Sequence, residues 1–149
     1  NSSAPCDGAA AVVLAKKYFV KDHGLVPRAK ILGWASVAVE PRKVFTADAG
    51  AIQECLKRSR LTLEEIDLFE INEAFAAQAI LTRKTIGIPE EKMNIWGGDI
   101  ALGHPLGVAG IRGLVTLMHA LKDRKNNKGI VSVCLGGGGA IALAIEIIS

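Results

Sequence analysis

The seventeen residues from Gly129 to Ile145 carry no charge, and four consecutive glycines, Gly136–Gly139, cut them in half. A membrane-spanning helix needs about 20 predominantly apolar residues in one run. Here the glycines interrupt the run and Glu146 ends it, so no membrane partner is expected. Two short buried strands, Ile130–Leu135 and Ala140–Ile148, joined across the glycines, fit the pattern instead. A hairpin this apolar must be covered on both faces, which demands helices elsewhere in the chain.

The upstream pattern supplies them. Ala9–Leu14 is a short apolar run entered through Asp7-Gly8 and reads as a strand buried on both faces. Ala15–His23 suits a helix, with Gly24 where a helix-ending glycine belongs. Ala29–Val39 reads as a strand ended by Glu40-Pro41. Ala49–Ser59 places Ile52, Cys55 and Leu56 at helical spacing, with Asp48 as candidate N-cap. Thr62-Leu63-Glu64-Glu65 has capping-box form and leads into a short strand over Asp67–Ile71. Glu73–Ile86 is helical by spacing and stops at Gly87-Ile88-Pro89. Val108, Ile111, Val115 and Met118 mark a further helical stripe, with Gly107, Gly110 and Gly113 beside it. An interior glycine costs roughly 1 kcal/mol against alanine, so close approach to a packed neighbour is the expected compensation. The 149 residues make one domain, 1–149, of layered α/β type.

Composition narrows the function classes. Half of the chain is apolar and 22% is charged, which excludes disorder. Eighteen basic against fifteen acidic residues leave +3, without a stripe dense enough for nucleic acid. Cys6, Cys55 and Cys134 are odd in number and lack C-x-x-C spacing. They read as free thiols of a reducing compartment, with neither a disulfide scaffold nor a metal site. A cytoplasmic protein is expected, or one of an organelle matrix in a eukaryote. The chain opens at Asn1 without a charged-then-apolar leader and reads as starting inside a longer polypeptide.

Polar groups flanked by glycines are the candidates for chemistry, because loops on a rigid scaffold hold most catalytic residues. His104 lies in Gly103-His104-Pro105-Leu106-Gly107. Pro105 suits the first turn of the helix that follows, which would put His104 at its N-terminus. Cys134 ends the first strand of the hairpin, just before glycine N–H groups able to form a nest for an oxyanion. Each has a plainer reading, a small core residue for Cys134 and a satisfied polar contact for His104. Asn72 follows the strand ending at Ile71, and it either points into a cleft or caps the next helix. Cys55 reads as core, and His23 and His119 as helix surface. Gly98–Gly103 has P-loop glycine spacing, but His104-Pro105 replaces the Lys and Ser/Thr that would meet phosphates. No G-x-G-x-x-G occurs either, so the dinucleotide fingerprint is absent.

Four ordered motifs resemble the C-terminal half of a thiolase, an enzyme that makes or cleaves β-ketoacyl-CoA. Asn72-Glu73-Ala74-Phe75-Ala76 is similar to the family's N-E-A-F-A. Gly97-Gly98, with Ile100-Ala101-Leu102-Gly103-His104-Pro105-Leu106-Gly107 after Asp99, is similar to G-G-x-I-A-L-G-H-P-x-G. Cys134-Leu135-Gly136-Gly137-Gly138 is similar to C-x-G-G-G. Asn1-Ser2-Ser3, with Asp7-Gly8-Ala9-Ala10, resembles the opening of the family's second half.

The resemblance implies a thiolase-like fold with a mixed β-sheet and helices on both faces. It implies that Cys134 is the acid/base thiol, a thiol near ambient pH being able both to take and to give a proton. It further implies that His104 activates a nucleophilic cysteine and holds the thioester oxygen, that Asn72 positions a water in the same oxyanion hole, and that Gly136 offers an N–H to a second hole. Ser3, Ala74 and Phe75 would meet the pantetheine arm. CoA thioesters are then the substrates, with no cofactor or metal. The family's nucleophile lies in an N-terminal half, so that half, in the same or a separate chain, is an implied partner, and a homo- or hetero-oligomer is expected. Trp96 and Asp99 depart from the family pattern and motivate a second reading, a non-catalytic thiolase-like module that binds or scaffolds a partner. A third makes Cys134 itself the nucleophile of a stand-alone thioesterase.

Overall fold

The computed structural model describes residues 1–148. Its centre is a four-stranded mixed sheet built from β1 (Ala29–Ala38), β2 (Leu68–Ile71), β3 (Lys128–Leu135) and β4 (Gly139–Ile147), in the order β1-β4-β3-β2. β4 is antiparallel to both β1 and β3, whereas β2 runs parallel to β3. The uncharged run is therefore a hairpin, with Leu135 opposite Gly139. Gly137 and Gly138 take the left-handed φ values of 87° and 101°. A Cβ on Gly138 would stand 2.6 Å from the carbonyl oxygen of Val39, so the turn admits no side chain there.

Among the described residues five α-helices accompany the sheet: α1 (Lys17–Asp22), α2 (Ala47–Ser59), α3 (Ala76–Ile86), α4 (Asp99–Leu102) and α5 (Ala109–Asp123). Side chains alternate across the sheet, as strand geometry requires. Ala140, Ala142 and Ala144 of β4 meet Ala47, Ala51, Ile52 and Cys55 of α2 on one face. Leu68, Val131 and Ile145 meet Leu114, Leu117 and Leu121 of α5 on the other. The expected helices on both faces are present. The cover is incomplete on the α5 side, however, where Trp34 is 57% exposed and Ile31 and Ile141 also face solvent. Among the described residues no helix is long and apolar enough to cross a membrane.

Several sequence readings need correction. Ala9–Leu14 forms no strand: Val13 and Leu14 are exposed, and only Val12 touches the α5-side core. An apolar run becomes a strand only where a neighbour accepts its backbone bonds, and this one has none. Asp48 is no N-cap but lies buried inside α2, where Gln78 and Ser132 donate to its carboxylate. The capping box closes a turn instead of a helix, with the Thr62 N–H donating to Glu65 Oε2 at 2.9 Å. On α5 the packed face is the glycine flank. A Cβ on Gly110 would meet Val133 at 3.3 Å, and one on Gly113 would meet Val131 at 3.1 Å. Gly107 lies before the helix, where an added Cβ would meet nothing within 4 Å. The predicted stripe sits on the looser flank, where Ile111 is exposed and Val115 and Met118 are half-buried. α5 is apolar on two sides, and its pattern alone does not say which one meets its own sheet.

Candidate active site

The parallel strands β2 and β3 end side by side, and the site grows from their carboxyl ends. Ile71 pairs with Ser132, and the Asn72 N–H donates to the Ser132 carbonyl at 2.9 Å. Two residues further along β3 stands Cys134. α3 begins only at Ala76, so Asn72 does not cap it, and its amide is free to enter the cleft. The segment between is extended: Ser2 pairs with Phe75, and Ser3 donates its N–H to the Ala74 carbonyl at 3.3 Å. His104 follows α4, with its N–H donated to the Ala4 carbonyl at 2.8 Å. It stands five residues before α5, not at that helix's N-terminus, because Pro105–Val108 form a separate turn.

These local folds converge. Ser3, Asn72, Ala74, Phe75, His104, Cys134 and Gly136 all line one open cavity of about 760 Å³. The Cys134 thiol donates to Asn72 Oδ1 at 3.0 Å, and Asn72 Nδ2 lies 3.1 Å from His104 Nδ1. The same amide nitrogen donates to Asp99, and Arg112 donates to Asp99 and, at 3.4 Å, to Glu70. Phe45 packs against Phe75 at the rim, with ring centres 5.5 Å apart. Trp96 does not line the cavity. Cys55 is buried against β1, donating weakly to the Gly33 carbonyl, as its place on the apolar stripe implied.

Burial, assisted by the nearby Asp48 and Asp99 carboxylates, pushes the Cys134 thiol up to about 11. The sequence reading expected a thiol near ambient pH. The apolar cavity wall and the Asp48 charge displace it, so few Cys134 side chains are ionised at neutral pH, and each thiolate is a stronger base. Asp48 is itself raised by burial to about 6. Asp48→Asn removes one of the two charges, and alkylation of Cys134 by iodoacetamide at pH 8, followed by peptide mass spectrometry, should become several-fold faster. An unchanged rate would show that the Asp48 charge does not reach the thiol. Linkage adds a second readout. A carboxyl raised in the folded state loses stability as pH rises from its unfolded value near 3.8 to about 6. At 1.36 kcal/mol per unit this is about 3 kcal/mol, so the variant should flatten that part of the stability profile in urea titrations.

The sequence reading missed Glu70, Arg112 and the site role of Asp48. A signal existed for Glu70, a charge within the four-residue strand LFEI that is buried throughout. Arg112 is one of several polar residues of α5, and only the fold brings it to Asp99 and Glu70.

The thiolase C-terminal domain profile matches residues 25–147. The chain is 45% identical over 146 residues to a cytosolic acetyl-CoA acetyltransferase of Gibberella zeae, covering 98% of this chain and 37% of that protein. Among solved structures it is similar to the Bacillus anthracis acetyl-CoA acetyltransferase, with 42% identity and a TM-score of 0.86 over 89% of this chain and 34% of the other. It is also similar to human mitochondrial 3-ketoacyl-CoA thiolase, with 37% identity and a TM-score of 0.87 over 90% of this chain and 34% of that one. The chain thus spans little more than a third of the length of the proteins it matches. By sequence and by fold it belongs to the thiolase family, as a C-terminal domain.

Proposed function

We propose that this chain supplies the acid–base and oxyanion-binding side of a CoA-dependent thiolase site, which forms or cleaves β-ketoacyl-CoA together with an N-terminal half. The observation that carries this reading is the hydrogen-bonded row Cys134, Asn72, His104 along one cavity. In the cleavage direction the acyl group passes to a cysteine of the N-terminal half. The acetyl-CoA carbanion left behind takes its proton from the Cys134 thiol. In condensation the Cys134 thiolate removes that proton. Carbanion chemistry beside a thioester needs such a base and preorganised donors for the enolate oxygen. His104 and a water on Asn72 serve one oxygen, and the Gly136 N–H serves a second. Ser3, Ala74 and Phe75 form the rim that would receive the pantetheine arm.

The uncovered half of the sheet, around Ile31, Trp34 and Ile141, is the surface this reading assigns to the N-terminal half. A cytoplasmic location accords with relatives named as cytosolic enzymes, and the uncovered sheet face motivates a homo- or hetero-oligomer. The two residues that motivated a scaffold reading favour the catalytic one. Trp96 lies off the cavity, and Asp99 is tied into the cluster. Combining the chain with a thiolase N-terminal half should give acetoacetyl-CoA thiolysis. In that assembly Asn72→Ala should lower kcat by roughly 10²- to 10³-fold, the usual effect of one lost oxyanion donor. An unchanged kcat removes Asn72 from the mechanism.

A further inference from the structure

Asp99 is fully buried, and its carboxylate collects donors. Arg112 donates to Oδ1, and the Glu73 N–H donates to Oδ2 at 3.1 Å. A carboxylate held by a guanidinium only accepts. The end of the Asn72 amide that meets Oδ2 is therefore the NH2 group, not the oxygen. This settles the rest of the side chain. Its oxygen points the other way and accepts from the Cys134 thiol at 3.0 Å. Its second N–H falls on His104 Nδ1 at 3.1 Å. Asp99 Oδ2 itself is 3.7 Å from Nδ1, too far for a hydrogen bond.

Resting on the thiolase reading above, we propose that Asp99 is a positioning residue that sets the direction of the chain from Cys134 through Asn72 to His104, and so keeps the proton of the neutral imidazole on Nε2. Nδ1 must offer a lone pair to the amide N–H, and the ring then lines the cavity with Nε2–H as a donor for a thioester oxygen. With a neutral group at position 99 the amide is free to turn over. Its oxygen would then accept from Nδ1–H, and Nε2 would present a lone pair that repels the thioester oxygen. Arg112, Glu70 and Glu73 are the ionisable groups beside Asp99, and Cys134 is the titratable group at the far end of the row. Burial raises Glu70 to about 8, which leaves the Arg112 charge to Asp99 at neutral pH.

Long-range proton–nitrogen NMR of the His104 ring reads the tautomer directly, in the chain itself and without substrate. At a pH where the ring is neutral, the wild type should show a protonated Nε2 and a bare Nδ1. A protonated Nδ1 overturns the proposal, and that measurement needs no variant to fold. Asp99→Asn is nearly isosteric but can meet Asn72 with either end, so the Nδ1–H tautomer should gain population. An unchanged tautomer overturns the proposal, because a role confined to holding the fold would alter stability and leave the tautomer alone. In the assembly with an N-terminal half, the same variant should lower kcat by about 10²-fold, the cost of one oxyanion donor, with KM little moved. A shifted tautomer with unchanged kcat also overturns it. If the wild-type assembly turns over no CoA thioester while the NMR results hold, the thiolase reading fails and the positioning role of Asp99 stands.

Discussion

Replacing Cys134 by alanine, in the chain assembled with a thiolase N-terminal half, should lower kcat by about 10⁴-fold in both directions, the upper end of what one general acid–base group contributes. The effect is large because no other group stands in for it. Its only side-chain hydrogen bond among the described residues goes to Asn72 Oδ1, and an amide neither gives nor takes a proton at neutral pH. Cys134→Ser separates chemistry from structure. The serine hydroxyl keeps a donor for Asn72 but is a far weaker acid, so the variant should fold as the wild type and remain almost inactive. A loss of less than tenfold in Cys134→Ala would remove the thiol from the mechanism. The same residue tests the stand-alone thioesterase reading. An acyl adduct on Cys134 after incubating the chain alone with an acyl-CoA, read by intact mass, would support it, and no adduct ends it.

The second large effect concerns stability. Arg112 is the cation paired with buried Asp99, with the Glu70 carboxyl, raised to about 8 by burial, on its other side. Arg112→Met should cost about 3–5 kcal/mol, the usual penalty for stripping one partner from a buried ion pair, measured from urea unfolding midpoints. A neutralising second change should restore much of it, so Asp99→Ala in the Arg112→Met background is expected to be more stable than Arg112→Met alone. A cost under about 1 kcal/mol, the value of an exposed pair, would mean that water reaches the cluster and the pairing carries little.

Much of this was legible because glycine and proline leave local marks. The hairpin over Gly136–Gly139, the strand ended by Glu40-Pro41 and the helix stopped at Gly87 all follow from chemistry confined to a few neighbouring residues. The seven residues proposed for the site also line one cavity: the adjacent ends of two parallel strands bring Asn72 and Cys134 together, and the paired N-terminal segment carries Ser3 and holds His104. What escaped reading depends on contacts between distant segments. Arg112 reaches Asp99 and Glu70 only because α5 crosses β2, and Asp48 is a buried network member only because α2 lies over Ser132. Ala9–Leu14 failed for a related reason: its composition asks for a sheet neighbour, and composition does not supply one.

The position of β4 between β1 and β3 has a consequence for biosynthesis. β1 pairs with β4 from Ala29 against Ile147 to Ala38 against Gly139, with one register shift between Ile31 and Gly33. Yet β4 is the last strand of this domain to be translated. A domain rich in such distant pairings is slow to close, and segments awaiting partners are prone to misassembly. On the ribosome, then, β1 with Ile31 and Trp34 lacks its β4 partner until nearly all of this domain has been added. A nascent chain halted just short of Gly139 would leave two strands without their shared neighbour, an all-or-none checkpoint that places quality control of this domain at its C-terminal end.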